Sequence, residues 1–228
     1  MLTYAVKPQD RPALRRYFLG AGGNRLSEWQ QQGKYAESLL LFGVDVNQDL
    51  WDALLLLHFK DWDQYAAWKE TERDFPAGLS GDVLALTTGV TSTLAELAWR
   101  GAPPAGRRPG KAPVYFVRPY YFTDRTMYER FFEAYNKPQF DVWLRESALS
   151  RYWALVNSNS SGGAWGVLLI YEYPDWEAAS GRASLKGSVG DELRRIPGWE
   201  LLGQLKSNVR QSGRVSLAEA LALPPPKR

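Results

Sequence analysis

The sequence contains no cysteine and a single histidine, His58. The absence of cysteine excludes disulfides, thiolate metal sites and cysteine nucleophiles. One histidine excludes a metal site built from several imidazoles. Five aspartates between residues 45 and 63 lie in a hairpin and a turn rather than at ligand spacing, so we expect no metal and no dedicated cofactor. The longest apolar runs are too short for a transmembrane helix, and no membrane partner is expected.

The charge of the chain is nearly balanced. It has 28 basic and 25 acidic residues, a net charge of +3. Nucleic-acid binding would require a concentrated basic face, so no nucleic-acid partner is expected. The chain enters a strand pattern at Met1, which predicts no signal peptide and a cytoplasmic location as the chain stands; a secreted or periplasmic location would fit if a signal had been removed.

What the sequence does contain is an internal repeat with an offset of 114 residues. The dipeptide Asp61-Trp62 recurs as Asp175-Trp176. Two further tryptophan pairs, Trp29 with Trp143 and Trp51 with Trp165, have the same spacing. Tryptophan is rare, so three matched pairs indicate a duplication. An offset of 111 places "YAVKP" (residues 4–8) on "YFVRP" (residues 115–119), which pairs Lys7 with Arg118.

Each half shows the pattern β-α-β-β-α-β of a ferredoxin-like unit. Both first helices are interrupted, at residues 20–23 in one half and at Pro138 in the other. Short fourth strands are predicted at residues 82–88 and 200–204. We therefore predict an α+β fold with a first repeat at residues 1–100, a Gly/Pro/Arg linker at 101–112, a second repeat at 113–210, and a loosely held tail at 211–228.

The stretch "VYFVRPYYFTDRTMYERFFEAY" (residues 114–135) and the aromatic, acidic turn after each third strand resemble the dimeric α+β barrel superfamily, and within it the NIPSNAP-like group. The resemblance implies two tandem units packed sheet to sheet as a barrel, either as a monomer with a pseudo-two-fold axis or as a homodimer. Haem-using relatives rely on a histidine placed elsewhere in their domains, and the single histidine here departs from histidine-pair mechanisms.

Candidate site residues lie on the predicted strands. His58 and its repeat partner Glu172 could transfer protons; alternatively, they are strand-end residues that water or backbone satisfies. Arg118 and Lys7 could bind an organic anion, or they could form salt bridges. Aromatic side chains near the same strands could line a ligand cleft or belong to the core; they are Tyr120, Tyr121, Tyr152, Trp153 and Trp165.

Two functions follow from these residues. The first is a small-molecule-binding barrel that acts on an aromatic or oxygenated organic compound by proton transfer without a cofactor, as a lyase, isomerase, cyclase or monooxygenase. The second is a non-catalytic NIPSNAP-like interaction protein whose barrel is filled by side chains. A cavity of several hundred cubic ångströms reaching Arg118, Glu172 or His58 would favour the first.

Overall fold

The computed structural model describes residues 1–46, 50–103, 112–158 and 165–224, and the backbone alone for residues 182–189. The chain divides into two units. Unit 1 comprises Met1–Thr93 and Ala218–Arg228, and unit 2 comprises Leu94–Leu217. Among the described helices, none combines the length and the hydropathy needed to span a bilayer.

Unit 1 is a ferredoxin-like unit. Its strands pair antiparallel in the order β4 (Thr87–Ser92), β1 (Leu2–Val6), β3 (Ala53–His58) and β2 (Glu37–Gly43), and residues 218–220 add to the free side of β2. Short 3₁₀ turns at Pro8–Asp10 and Pro76–Gly78 connect its elements. In chain order these elements are β1 (Leu2–Val6), α1 (Arg11–Leu19), α2 (Ala21–Gln31), β2 (Glu37–Gly43), β3 (Ala53–His58), α3 (Trp62–Asp74), α4 (Gly81–Leu84) and β4 (Thr87–Ser92).

Unit 2 repeats the order and adds an edge strand. Its strands pair in the order β6 (Val114–Tyr121), β8 (Val167–Tyr173), β7 (Arg151–Asn157) and β5 (Ala95–Gly101), and the short β9 (Gln211–Ser212) pairs with β6. The elements are β5 (Ala95–Gly101), β6 (Val114–Tyr121), α5 (Arg125–Phe131), a π-helical turn (Phe132–Asn136), α6 (Lys137–Arg145), β7 (Arg151–Asn157), β8 (Val167–Tyr173), α7 (Trp176–Leu193), α8 (Trp199–Val209) and β9 (Gln211–Ser212). The last strand, β10 (Ser216–Ala220), begins in unit 2, and its residues 218–220 belong to unit 1. The predicted α+β class is confirmed; within the described residues neither sheet closes on itself.

The repeated Asp-Trp dipeptide starts the second helix of each unit. The Asp61 carboxylate accepts a 2.8 Å hydrogen bond from the Gln64 backbone N–H, and Asp175 does the same for Ala178. Both aspartates are N-caps, which satisfy backbone donors left free in a first helical turn. The tryptophans beside them are exposed, so the aspartate is the structural half of the motif.

The first helix of each unit is broken where the sequence predicted. In unit 1, α1 ends before Gly20 and α2 begins after it. A Cβ at Gly23 would lie 2.1 Å from the Phe18 carbonyl oxygen, so only glycine permits this close turn. In unit 2 the break takes the form of the π-helical turn before Pro138.

The repeat offset of 114 is confirmed in the middle of each unit but not at the first strand. Glu37 pairs with His58 across β2 and β3, and Arg151 with Glu172 across β7 and β8. On the first strands, however, Tyr4 pairs with Ala53 and Tyr120 with Val167, which is an offset of 116. The Tyr4 and Tyr120 carbonyls also accept equivalent hydrogen bonds, from the backbone N–H groups of residues 52 and 166.

The register therefore corrects one prediction: Lys7 and Arg118 are not equivalent. The equivalent of Arg118 is Leu2, because Leu2 pairs with Leu55 as Arg118 pairs with Leu169. Lys7 is exposed and follows β1 rather than lying within it. Matching short strings of similar letters placed the two strands five residues out of register.

Several predicted boundaries differ from the structure. Residues 95–100 form the edge strand β5 and belong to unit 2 rather than to the first repeat. Residues 200–204 lie in α8 and not in a fourth strand. Residues 211–220 are not a loose tail, because β9 and β10 pair with neighbouring strands and Ala218 is fully buried. Most of the predicted linker, residues 104–111, lies outside the described residues.

Candidate functional site

Unit 2 contains a cavity of about 870 Å³ between its sheet and its helices. The volume lies within the roughly 300–1,000 Å³ range of small-molecule sites. All of its walls come from unit 2. They include Phe116, Arg118 and Tyr120 of β6, Tyr171 and Tyr173 of β8, residues of the π-helical turn and α6, Leu193, Trp199, and the stretch from Lys206 to Val215.

The sheet side of the cavity follows from strand alternation. Phe116, Arg118 and Tyr120 are two residues apart on β6, so their side chains share one face. Tyr171 and Tyr173 have the same relation on the neighbouring strand β8, and Tyr171 pairs directly with Phe116. One cation and three phenols thus line an otherwise aromatic surface.

The helical side of the cavity is aromatic with two buried amides. Asn136, Gln139, Phe140 and Trp143 lie at spacings that place them on one helix face, and all four are buried. The Tyr135 ring stacks on Trp199 at 4.9 Å. The backbone carbonyl of Tyr135 accepts a 3.0 Å hydrogen bond from the indole N–H of Trp199, which fixes the start of α8 against the π-helical turn.

Arg210 enters the cavity from the residue after α8. Its Nη1 donates a 3.0 Å hydrogen bond to Oδ1 of Asn136. Its guanidinium carbon lies 4.0 Å from the ring centre of Tyr120 and 5.0 Å from that of Phe131. In the described residues no carboxylate forms an ion pair with Arg210. Its charge is therefore directed at aromatic rings and at the cavity.

The surroundings of Tyr120 lower the pKa of its phenol. Its burial alone would raise the pKa of the phenol, but the nearby charges of Arg210 and Arg118 and hydrogen bonds from Arg118 and Tyr171 lower that pKa below its ordinary value. Burial raises the pKa of Tyr171 well above its ordinary value, and the charge of Tyr120 raises it further. The Tyr171 hydroxyl is therefore the donor, and the Tyr120 oxygen the acceptor, of the hydrogen bond between them.

Two buried donors that line the cavity have no partner within the described residues. They are Nε of Arg118 and the indole N–H of Trp143. An unpaired buried donor costs about 1–3 kcal/mol, and most such groups in folded proteins find an acceptor. The cavity is thus rich in donors and cations, a composition that suits a ligand bearing oxygen acceptors or negative charge.

The cavity brings together two of the predicted site residues, Arg118 and Tyr120. Tyr152 lies in the core against Phe140, at a ring distance of 4.8 Å, and does not line the cavity. Tyr121 is exposed on the opposite face of β6. Trp153 and Trp165 are half-buried and also lie outside the lining.

The two predicted proton-transfer residues lie elsewhere. Glu172 points to the other face of β8, where it accepts a 3.0 Å hydrogen bond from the Tyr115 hydroxyl, and burial raises the pKa of its carboxyl. His58 ends strand β3 of unit 1, half-buried, with no partner for Nδ1 among the described residues. Neither they nor Lys7 line the cavity of unit 2.

Sequence reasoning did not single out Asn136 or Arg210. The sequence did indicate Tyr171 as one of several phenols near the predicted strands, and strand alternation places it on one face with Tyr173, on a strand next to Arg118. Asn136 ends the π-helical turn, which changes the spacing of residues on one helix face, so a regular helical period does not indicate which way Asn136 points. Arg210 gave no signal, since it falls at the last position of the predicted second repeat, outside any predicted strand or helix.

Comparisons with known proteins identify the fold. No protein-family model and no curated protein matches the sequence. Three solved structures are similar in fold. An anthrone oxidase-like protein has 12% identity and a TM-score of 0.64, covering 97% of this chain and 89% of its own. A candidate monooxygenase from Lactobacillus acidophilus has 12% identity and a TM-score of 0.53, covering 96% and 90%. A variant of chlorite dismutase from Candidatus Nitrospira defluvii has 10% identity and a TM-score of 0.53, covering 97% and 90%.

The chain has the fold of the dimeric α+β barrel superfamily. The resemblance drawn from the sequence is confirmed at that level, whereas the resemblance to the NIPSNAP-like group stays a prediction. At 10–12% identity the likeness shows the fold of a dimeric α+β barrel protein and carries no residue roles to this chain.

The resemblance to the dimeric α+β barrel superfamily implies that a bound haem would need a histidine ligand. The only histidine of this chain, His58, belongs to unit 1, so the cavity of unit 2 has no imidazole ligand. In the described residues no group of three or more histidine, aspartate or glutamate side chains could bind a metal ion. The cavity residues therefore do not fit a histidine-ligated haem.

Proposed function

We propose that unit 2 binds a small, flat aromatic compound with an acidic hydroxyl or enol group and that Tyr120 accepts the acidic proton. One observation carries the proposal: a buried phenol faces an aromatic cavity of about 870 Å³, flanked by two arginines that pair with no carboxylate in the described part of the chain. A tyrosine with a lowered pKa ionises nearer to neutral pH, where a proton acceptor is most effective.

Charge balance supports proton transfer at this position. Before transfer the negative charge is on the phenolate of Tyr120, and after transfer it is on the ligand oxygen. Arg118 and Arg210 face both states, so the net charge of the cavity does not change. The unpaired Nε of Arg118 provides a donor for the new oxyanion. Charge-assisted hydrogen bonds of this kind are about twice as strong as neutral ones.

The cavity walls support an aromatic ligand. Phe116, Phe140, Trp143 and Trp199 provide flat apolar surface, which favours stacked or edge-on contact with a second ring system. The similar structures include an anthrone oxidase-like protein and a candidate monooxygenase. An anthrone is a flat three-ring ketone that forms an enolate on loss of a proton, and its oxidation by dioxygen yields an anthraquinone and water. Oxygen consumption with such compounds is therefore the first activity to assay.

The alternative of a filled, non-catalytic barrel has support in unit 1. At the positions equivalent to Arg118 and Tyr171, unit 1 has the buried residues Leu2 and Leu57. The hydroxyl of Tyr4, equivalent to Tyr120, is occupied by a 2.8 Å hydrogen bond to the Ala77 carbonyl. An interaction role would thus be the better proposal for unit 1, and ligand binding for unit 2.

Titration calorimetry with 2-naphthol, a hydroxyanthracene and their methyl ethers tests the proposal. We expect the hydroxyl compounds to bind at least tenfold more tightly than the ethers, because only they have a proton for Tyr120. Arg118→Gln and Tyr120→Phe should remove that difference, whereas Tyr121→Phe, an exposed tyrosine on the same strand, should leave it intact. Equal affinities for hydroxyl and ether compounds in the unmodified protein would contradict the proposal.

A further inference from the structure

We propose that Arg210 is a positioning residue: held by Asn136 over the ring of Tyr120, it favours the phenolate of Tyr120 and acts on the ligand only through Tyr120. The assignment rests on the proposed function, in which Tyr120 is the proton acceptor. Arg210 lies between α8 and β9, at the last position of the predicted second repeat.

The backbone fixes Arg210 beside Tyr120. Strand β9 follows Arg210 directly, and its Ser212 pairs with Tyr120 itself. Helix α8, which ends just before Arg210, is held by the Trp199 hydrogen bond to the Tyr135 carbonyl. The backbone is therefore fixed on both sides of Arg210, and this holds the Arg210 side chain close to Tyr120.

The side chain of Arg210 is oriented over the ring. Asn136 accepts from Nη1 at 3.0 Å, and the guanidinium lies 4.0 Å from the centre of the Tyr120 ring. A phenolate spreads negative charge into its ring, so a cation over the ring face stabilises the phenolate more than the neutral phenol. Arg118 approaches the phenol oxygen instead, and its Nε stays unpaired. Arg118 is therefore placed to bind a ligand oxyanion, whereas Arg210 is occupied by Asn136 and the ring.

The other charged groups of the cavity do not replace Arg210. Arg194 pairs with Asp191 and Glu200, and Lys206 is exposed. The remaining titratable groups that face Tyr120 or Arg210 are the phenols of Tyr128, Tyr135, Tyr171 and Tyr173 and the guanidinium of Arg118. Burial raises the pKa of the phenols of Tyr128, Tyr135 and Tyr171, so they do not supply the early-ionising group.

Ultraviolet difference titration of the tyrosines near 295 nm, without any ligand, tests the inference. The chain has twelve tyrosines, and we expect one twelfth of the total signal to change in a separate transition at lower pH than the rest. Tyr120→Phe should abolish this transition, and Arg210→Gln should merge it with the others. Arg210→Lys should keep it in part, because the charge remains. Arg194→Gln, which removes another arginine of the cavity, should leave it unchanged.

A second variant leaves Arg210 in the chain. Asn136→Ala removes the oxygen that orients the guanidinium, so the early transition should move toward the others, with circular dichroism confirming the fold of each variant. An early transition that is absent from the unmodified protein, or unmoved in both Arg210→Gln and Asn136→Ala, would overturn the inference. Because no ligand is present, failure of the binding experiment with 2-naphthol contradicts the proposed function alone.

Discussion

Removing the buried carboxylate of Asp52 should destabilise unit 1 strongly. Asp52 forms an ion pair with Arg11, and both side chains are at least 90% buried. Its Oδ2 also accepts a 2.7 Å hydrogen bond from the Val6 backbone N–H. Asp52→Ala leaves a buried guanidinium without its counter-ion and a buried N–H without an acceptor. Breaking a buried pair from one side costs about 3–5 kcal/mol.

Urea denaturation measures this cost. With an m-value of about 2 kcal/mol/M, the loss corresponds to a fall of about 1.5–2.5 M in the urea midpoint. Asp141→Asn is the matched control, because Asp141 pairs with Lys137 at the exposed surface and such pairs contribute about 0.2–1 kcal/mol. Arg11→Met combined with Asp52→Leu should recover part of the loss, since it removes both charges. A cost for Asp52→Ala no larger than that of Asp141→Asn would refute the reasoning.

Four further substitutions test three other features. Asp61→Ala should lower the free energy of unfolding by about 1 kcal/mol, because the N-cap of α3 is lost. Trp62→Ala should change that free energy by less than about 0.5 kcal/mol, because Trp62 is 71% exposed. Thermal melts compare the two variants. Glu172→Gln should stabilise the protein at pH 7 but not below pH 4.5. The folded state raises the pKa of the Glu172 carboxyl, so the unmodified protein loses stability as pH rises through that pKa. Urea midpoints at both pH values measure the difference. Gly78→Ala should cost about 1–2 kcal/mol in urea, because φ is +73° and Trp68 lies 3.2 Å from the added Cβ.

The sequence predicted the fold well where the repeat has no insertion. From Glu37 to His58 and from Arg151 to Glu172 the offset of 114 matches the observed strand pairing residue by residue. The first strands were placed wrongly because residues 4–8 and 115–119 look alike, while strand register depends on which carbonyl and N–H groups meet. A shift by an odd number of residues also moves every side chain to the other face of a sheet.

Two residues of the candidate site, Arg118 and Tyr120, were named from the sequence. Arg118 and Tyr120 were named because a cation and a phenol on a strand are unusual and visible in the sequence. Arg210 could not be found this way, since its role depends on α8 and β9 bringing it back to β6. His58 drew attention as the only histidine, but a residue's rarity does not indicate which face or unit it occupies.

The two units provide an internal comparison for the chemistry of Tyr120. Tyr4 and Tyr120 occupy the same register position, pair with equivalent residues of the third strand and are both buried. Burial raises the pKa of Tyr4 well above its ordinary value, whereas the pKa of Tyr120 is lowered. Burial acts in the same direction on both phenols, so the opposite outcome comes from what surrounds them. Leu2 occupies the position in unit 1 that Arg118 occupies in unit 2. The hydroxyl of Tyr4 donates a hydrogen bond to the Ala77 carbonyl. The same register position thus holds a structural tyrosine in one unit and a candidate proton acceptor in the other, and the charges of Arg210 and Arg118 together with the hydrogen bond from Tyr171 account for the lowered pKa of Tyr120.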